Sequence, residues 1–299
     1  MRERGFNLIE LVAVMVIVAI VVTGLAYFAS PIKQSVDVSA RADLTDAANT
    51  ALQRIGRDVR LALPNSVRVD GTQKFIEFLA VRTAARYRAD GGGGTGGTNC
   101  PSDDPTLTTA GDNDQLSFDL AAGDTCFKTL GKIPDVATVA TGTDRLVLNN
   151  YGSGFSGQDA YSSTAPLNWV VVSAIDSASE ATRDRVSFAA TTFQRVLHAS
   201  PGKRFFIISG AVSYGCDLSA GTVTRYWGYS IQATQPTTFG GASSALIASQ
   251  VTACAFDYTP NVEPQVGLLT LRLTLSKSTT TGVPEVVTLY HAAHMSNVP

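Results

Sequence analysis

Residues 2–30 read RERGFNLIELVAVMVIVAIVVTGLAYFAS, a short leader with two arginines followed by an apolar run. From Leu11 to Ala29 the run carries no charge and is long enough to cross a bilayer. Arginines on its N-terminal side predict that this end is cytoplasmic, so that the rest of the chain is exported. The stretch therefore predicts a single-pass membrane protein with a periplasmic or extracellular head.

Glu10 places an ionisable group one turn into this apolar run. Such a carboxyl costs roughly 2.5 kcal/mol or more in a membrane unless it is partnered or neutral. An ordinary cleaved secretory signal is the alternative interpretation, with a small-x-small cleavage site at Gly24-Leu25-Ala26. A cleaved signal has no use for the carboxyl, so Glu10 favours a retained helix with a partner.

The segment Arg4 to Leu11, RGFNLIEL, resembles the class III signal of type IV prepilins and pseudopilins. In that family a membrane peptidase cuts after the glycine and methylates the new N-terminal residue. The resemblance implies cleavage after Gly5, N-methylation of Phe6 and an assembly role for Glu10. Its carboxylate would pair with the α-amino group of a neighbouring subunit, which relieves the desolvation of both charges.

The family resemblance also implies a type IV pilin fold and a set of partners. These are other minor and major pilins, which contact the N-terminal helix, the prepilin peptidase and an inner-membrane assembly platform. Before assembly the chain would span the inner membrane with a periplasmic head, and afterwards it would lie at the tip of an extracellular pilus. No cofactor is implied.

Beyond Ser30 the apolar residues recur at spacings near three and four, which predicts a helix with one apolar face. They are Ile32, Val36, Leu44, Ala48, Leu52, Ile55 and Val59. Pro31 is a candidate bend, and Pro64-Asn65 predicts a stop after Leu63. A continuous helix over 6–63 would be about 87 Å long. We expect a leader over 1–5, a membrane and assembly helix over 6–29 and its continuation into the head over 30–63.

Residues 64–299 change to short runs of Val, Ile, Thr, Phe and Tyr separated by turn residues, which predicts a β-rich head. One long helix followed by strands predicts an α+β fold, in which an antiparallel sheet packs on the C-terminal half of the helix. The candidate strands are Lys74–Val81, Leu116–Leu120, Arg145–Asn149, Trp169–Ile175, Arg185–Phe188, Phe205–Val212, Thr222–Tyr229, Leu268–Leu275 and Glu285–His291.

The four cysteines, Cys100, Cys126, Cys216 and Cys254, are widely spaced and contain no C-x-x-C pair. With only three histidines in the chain, two disulfides in an oxidising compartment fit better than a zinc site. Three pairings are possible. We favour Cys100 with Cys126 and Cys216 with Cys254, because these pairs close the shortest loops.

Two loop segments are candidate ligand sites. Gly91–Gly97 reads GGGGTGG but lacks the strand, helix and lysine of a phosphate-binding loop, so it predicts a surface loop. The aspartates that follow it form an acidic loop without EF-hand spacing, and calcium binding stays open there as an alternative. They are Asp103, Asp104, Asp112 and Asp114.

No catalytic constellation is evident, and we expect the chain not to be an enzyme. Ser213 is one residue out of register with a nucleophile elbow. His291 ends the predicted strand Glu285–His291 and His294 follows three positions later, a spacing that in strand geometry places the two side chains on opposite faces. The run Tyr226-Trp227-Gly228-Tyr229 is an alternative ligand groove, but such aromatics more often form core and cross-strand pairs. A net charge of −2 gives no basic field for nucleic acid.

Segments beyond the helix are similar to the large minor pilins of the mannose-sensitive haemagglutinin (MSHA) pilus system, the MshO group, which is related to the PilW and pseudopilin J groups. They are Arg57–Ser66, Arg86–Arg88, Asp144–Tyr151, Pro201–Phe206, Tyr226–Tyr229 and His294–Pro299. This narrower resemblance implies a low-abundance subunit that helps to initiate pilus assembly within a priming or tip complex. Because Glu10 is present, a neighbour above the subunit is expected.

Two other functions stay open at the level of sequence. In the first, the head is an adhesin or a DNA- or carbohydrate-binding module displayed at the tip of the pilus. In the second, the chain is a signal-anchored periplasmic enzyme.

Overall fold

The structure is a computed structural model that describes residues 8–88, 115–121, 123–263, 265–279 and 282–299. One long helix, α1, extends from Leu8 to Arg60, and the residues described after it are mainly strands. At this level the architecture is the expected α+β arrangement, an N-terminal apolar helix followed by a β-rich domain with a curled antiparallel sheet.

The helix α1 contains 53 residues and is therefore about 80 Å long. It continues through Pro31 and ends three residues before the predicted end at Leu63. The chain leaves the helix early because it joins the edge of a sheet: the Leu63 N–H donates to the Leu79 carbonyl at 2.8 Å. The Val81 N–H likewise donates to the Leu61 carbonyl at 3.3 Å.

The strands form two antiparallel sheets among the described residues. In chain order they are β1 (Arg68–Val69), β2 (Phe75–Arg86), β3 (Asp124–Lys128), β4 (Arg145–Leu148), β5 (Trp169–Asp176), β6 (Arg185–Thr191), β7 (Arg204–Asp217), β8 (Thr222–Trp227), β9 (Ser243–Ala248), β10 (Val251–Glu263), β11 (Val266–Lys277) and β12 (Glu285–Ser296). The larger sheet has the order β1-β2-β7-β4-β5-β6-β3, with β8 paired to β7 and β9 to β8. The smaller sheet has the order β10-β11-β12. A short second helix, α2, spans Arg195–His198, and a 3₁₀ turn spans Val136–Thr138.

The C-terminal half of α1 packs on the smaller sheet, mainly on β12 and β11. Its buried residues repeat every three or four positions and form one stripe: Ala40, Leu44, Ala48, Ala51, Leu52, Ile55 and Val59. All of the predicted apolar positions from Leu44 onward lie in this stripe. The stripe joins residues of β7, β10, β11 and β12 in one hydrophobic cluster, so the helix is part of the core of the head.

A second cluster lies between strands of the larger sheet and is rich in aromatic rings. Phe127 contacts Phe205 edge to face, with ring centroids 5.2 Å apart. Tyr87 and Phe188 pack on the same ring. The head therefore contains a core of its own, in addition to the cluster that includes the helix.

The predicted strand Leu116–Leu120 was wrong. Asp119 has a left-handed φ of 60°, which interrupts an extended run, and this segment makes only isolated bridges. The Ser117 N–H donates to the Asp124 carboxylate instead of to a neighbouring strand. The other eight predicted strands are present, six of them longer than predicted, whereas β1, β3, β9 and β10 were not predicted from the sequence.

Candidate assembly helix and its attachment to the head

The segment Leu8–Leu25 of α1 is apolar and is not packed against the head. Residues Leu8–Leu25 have a mean hydropathy of 2.8, and none of them is buried. At 1.5 Å per residue they extend over about 27 Å, close to the thickness of a hydrocarbon core of about 30 Å. Among the described residues this is the one helix long and apolar enough to cross a membrane. The chain thus has the element that a single-pass anchor requires.

Apolar side chains surround this segment on all sides. Leu8 and Met15 lie on one face of the helix, Ile9 and Ile20 on a second and Leu25 on a third, and each of these side chains is more than half exposed. A helix that is apolar all round needs lipid or other helices around it.

Glu10 is the one ionisable side chain in the segment Leu8–Leu25, and it is exposed in the first helical turn. Thr23, by contrast, donates its hydroxyl to the Ala19 carbonyl at 2.7 Å within the same helix. The hydroxyl is therefore satisfied in an apolar environment. An ionised Glu10 cannot be satisfied in the same way, because a carboxylate has no hydroxyl hydrogen to donate to a helix carbonyl.

Asp58 attaches the other end of α1 to the larger sheet. One carboxylate oxygen, Oδ2, accepts hydrogen bonds from the Tyr214 hydroxyl at 2.7 Å and from Arg225 Nε at 3.0 Å. Tyr214 lies on β7 and Arg225 on β8, so a single helical side chain binds two adjacent strands. Burial, with the neighbouring Asp58 carboxylate, raises the pKa of Tyr214 far above its usual value. The phenol therefore remains a neutral donor.

Gly56 lets β12 approach the helix closely. A Cβ atom at this position would lie 2.6 Å from Nε2 of His291, which is closer than such atoms can pack. His291 thus faces α1, whereas His294, three positions further along β12, faces the other side. This agrees with the strand geometry expected for the pair.

Two ion pairs flank this interface at the surface. Arg41 lies 3.1 Å from Glu285, and Asp43 lies 3.7 Å from Lys277. Because one side chain of each pair, Arg41 or Asp43, is largely solvated, the pairs contribute little to stability. The stripe of buried residues and the Asp58 contacts hold the helix to the head.

The structure contains the disulfide between Cys216 and Cys254, which joins β7 of the larger sheet to β10 of the smaller one. Cys126 is also disulfide-bonded. Its predicted partner, Cys100, lies outside the described residues. So do Gly5 and Phe6, the Gly91–Gly97 loop and the acidic loop.

Ser213, the residue compared with a nucleophile elbow, lies in the middle of β7 and is buried. Its hydroxyl shares a hydrogen bond of 2.6 Å with the Tyr229 hydroxyl, which donates to Glu77 at 3.0 Å. Arg68 completes this network at 2.6 Å from the Glu77 carboxylate. Burial raises the pKa of Glu77, although Arg68 opposes the shift.

This network connects strands and the loop after β8, and no histidine belongs to it. Its members are distant in sequence, so no local motif indicated it. In the part of the chain that the structure describes, no group of three or more His, Cys, Asp and Glu side chains is arranged to hold a metal ion.

The aromatic run after Arg225 divides between two environments. Trp227 packs against the cluster that contains α1. Tyr226 stacks on Phe239, with ring centroids 4.3 Å apart and planes 11° from parallel. The run was predicted to contribute to the core and to a cross-strand pair. Trp227 does pack on a core cluster, but the ring that stacks on Tyr226 is Phe239, which belongs to a loop and not to an adjacent strand.

Comparison with known proteins found no matching family model, no matching curated protein and no matching solved structure.

Proposed function

We propose that this chain is a minor type IV pilin subunit that helps to initiate pilus assembly as part of a priming or tip complex. The observation that carries the proposal is that α1 has two different parts, an apolar N-terminal segment that is not buried and a C-terminal half that packs on the head. The segment Leu8–Leu25 is apolar all round and contains one ionisable residue, Glu10, four positions after Phe6 of the leader-like Gly5-Phe6.

In the proposed sequence of events, the chain first spans the inner membrane with its head in the periplasm. A prepilin peptidase cleaves after Gly5 and methylates Phe6, which leaves an α-amino group at the start of the apolar helix. The assembly platform then transfers the helix from lipid into a bundle formed with other minor and major pilins. Lipid and the helix bundle can both cover the apolar side chains on every face of the segment.

Glu10 supplies specificity to the transfer. In the bundle its carboxylate pairs with the α-amino group of a neighbour, and each charge relieves the burial of the other. Removing one partner of such a buried pair costs about 3–5 kcal/mol, because the remaining charge is left uncompensated. A loss of this size would weaken the docking of one subunit by about a hundredfold or more.

The proportions of the chain favour a priming or tip position. The β-rich head is large for a subunit that repeats along a thin fibre, whereas an end position leaves more room around it. Asp58 and the stripe of buried residues fix α1 to this head, so the apolar half of the helix would enter the bundle with the head already attached.

The test is fibre number in a strain that lacks the chain and is complemented with variants. We expect few or no fibres without the chain and normal fibres with the wild type. Glu10→Leu should insert in the membrane normally yet fail to restore fibres, and Glu10→Gln should restore them in part. Asp46→Asn is the matched control, because it removes a carboxylate from the exposed side of the head-bound half.

Normal fibre numbers in the deletion strain would contradict the priming role. Full restoration by Glu10→Leu would contradict the pairing mechanism.

A further inference from the structure

A cavity of about 660 Å³ opens between the start of β2, the end of β7 and the loop that follows β8. It lies on the head, away from the apolar half of α1. Its volume falls in the range of about 300–1,000 Å³ that is typical of small-molecule sites. The proposed assembly role makes no use of it.

Three aromatic rings form the apolar wall of the cavity. Tyr226 and Phe239 stack in parallel, and Phe75 lies 6.1 Å from Phe239 between ring centroids. Gly215 lies beneath these rings: a Cβ there would be 2.7 Å from Cε1 of Phe75 and 3.2 Å from Cε2 of Tyr226. The glycine therefore allows both rings to lie close to the strand.

Polar groups of opposite character border the aromatic wall. Lys74 Nζ donates to the Cys254 carbonyl at 2.7 Å, and an ammonium group has further N–H donors. Asp217 uses Oδ1 to accept hydrogen bonds from Ser219 and Ala220, while Oδ2 takes no part in them. Asp217 is ionised at neutral pH, and the hydrogen bonds from Ser219 lower its pKa further. The hydroxyl groups of Thr237 and Thr238 complete the lining.

The loop that carries Phe239 is held in place before any ligand binds. Arg68 donates to the carbonyls of Gln232 and Ala233 at 2.8 and 2.6 Å. Gln235 Nε2 donates to the Phe75 carbonyl at 3.1 Å. Next to the cavity, the Cys216–Cys254 disulfide fixes the end of β7. Such a preorganised wall reduces the entropy that binding would otherwise cost.

We propose that this cavity binds one sugar unit of a carbohydrate. A pyranose ring has an apolar face of C–H bonds, which stacks on an aromatic wall, and a rim of hydroxyl groups that both donate and accept hydrogen bonds. The lysine, the carboxylate and the threonine hydroxyls offer both functions around the wall. A purely apolar ligand would leave these polar groups desolvated without partners, at a cost in free energy. The inference does not depend on the pilin assignment.

The probes are methyl β-D-glucoside, methyl β-D-galactoside, methyl α-D-mannoside and N-acetylglucosamine, with p-cresol as an aromatic non-sugar. Saturation-transfer NMR is measured on the full-length protein in a detergent without a sugar headgroup. We expect at least one sugar to receive saturation at its C–H protons, with a millimolar dissociation constant.

Phe239→Leu keeps an apolar side chain but removes the flat ring, and it should weaken sugar binding about tenfold. Phe239→Trp should retain binding. Asp217→Asn keeps the shape of the turn and should also weaken sugar binding. Tyr290→Leu is the matched control, because Tyr290 is an exposed aromatic residue on β12, outside the cavity lining, and should leave binding unchanged.

Three results would overturn the inference: no saturation of any sugar, binding of p-cresol alone, or unchanged sugar binding in Phe239→Leu and Asp217→Asn. Circular dichroism of each variant verifies that its fold is intact. Failure here would leave the fibre counts of the Glu10 variants unaffected, so the two proposals are tested separately.

Discussion

The two halves of α1 have the same backbone conformation and opposite surroundings. In Leu8–Leu25 no residue is buried, although nearly all are apolar. From Ala40 to Val59 a single stripe is buried, and the other faces are polar and exposed. The difference lies in the period of the apolar residues, not in helix propensity. One uninterrupted helix thereby serves as an apolar rod at one end and as part of a protein core at the other.

The largest effect is expected from removing the first half altogether. A chain without residues 1–25 should lose all membrane fractionation. Its thermal unfolding midpoint should match that of the full chain, since the head makes no packing contacts with the removed segment Leu8–Leu25. Sedimentation of membranes and calorimetry measure the two properties. A truncated head that stays with the membrane would mean that another surface also binds lipid.

A matched pair of substitutions compares the two halves directly. Ile55 is 1% exposed and Ile17 is 60% exposed, although both are isoleucines on α1. Ile55→Ala should lower the free energy of unfolding of the head by about 2–5 kcal/mol, because it leaves a cavity in a packed core. Ile17→Ala should leave it unchanged. Denaturant unfolding measures both, and equal effects would show that the apolar half contributes to the folded head.

Asp58→Ala tests how the second half is fastened to the larger sheet. The change leaves the buried Tyr214 hydroxyl without its acceptor, which should cost about 1–3 kcal/mol of unfolding free energy. Asp58→Asn should cost less, since an amide oxygen still accepts the hydrogen bond. A double-mutant cycle with Tyr214→Phe isolates the interaction between the two side chains. A coupling energy near zero would mean that the apolar stripe alone fixes the helix.

Alkaline pH should lower the stability of the head, in part through Tyr214. Burial raises the pKa values of Tyr214, Tyr161 and Tyr229 in the folded chain above the usual 10.0. Above pH 10 the unfolded chain therefore loses phenol protons that the folded chain keeps. Stability is then complete below pH 10 and falls above it, by about 1.4 kcal/mol per pH unit for each tyrosine. In Tyr214→Phe, the free energy of unfolding measured by chemical denaturation should fall less steeply above pH 10. An unchanged slope would contradict a raised pKa for Tyr214.

Much of this fold follows from local pattern. The apolar run of Leu11 to Ala29 and the spacing from Leu44 to Val59 predict both halves of α1, because each depends on neighbours along one helix. The end at Arg60 was missed by three residues, since it is set by pairing with β2, which is distant in sequence. Strand β10 was missed because its run contains Pro260 and small residues, which are uncommon in strands.

The candidate sites also divide into those that a local sequence pattern predicts and those that depend on contacts between distant residues. The proposed processing and assembly residues Gly5, Phe6 and Glu10 lie within six consecutive positions, so a local sequence pattern predicts them together. The Cys216–Cys254 pair was found through loop length. The network of Glu77, Arg68, Ser213 and Tyr229 and the cavity around Phe239 join residues from several strands and a loop. No spacing rule predicts such contacts, because the sheet topology brings them together.

The most direct measurement of the central claim is mass spectrometry of the N-terminus of protein purified from membranes. If the apolar half of α1 is the assembly helix of a processed subunit, the chain should begin at Phe6 and carry one methyl group on its α-amino nitrogen. A chain that retains Met1, or that begins near Tyr27 after removal of the apolar half, would contradict the account.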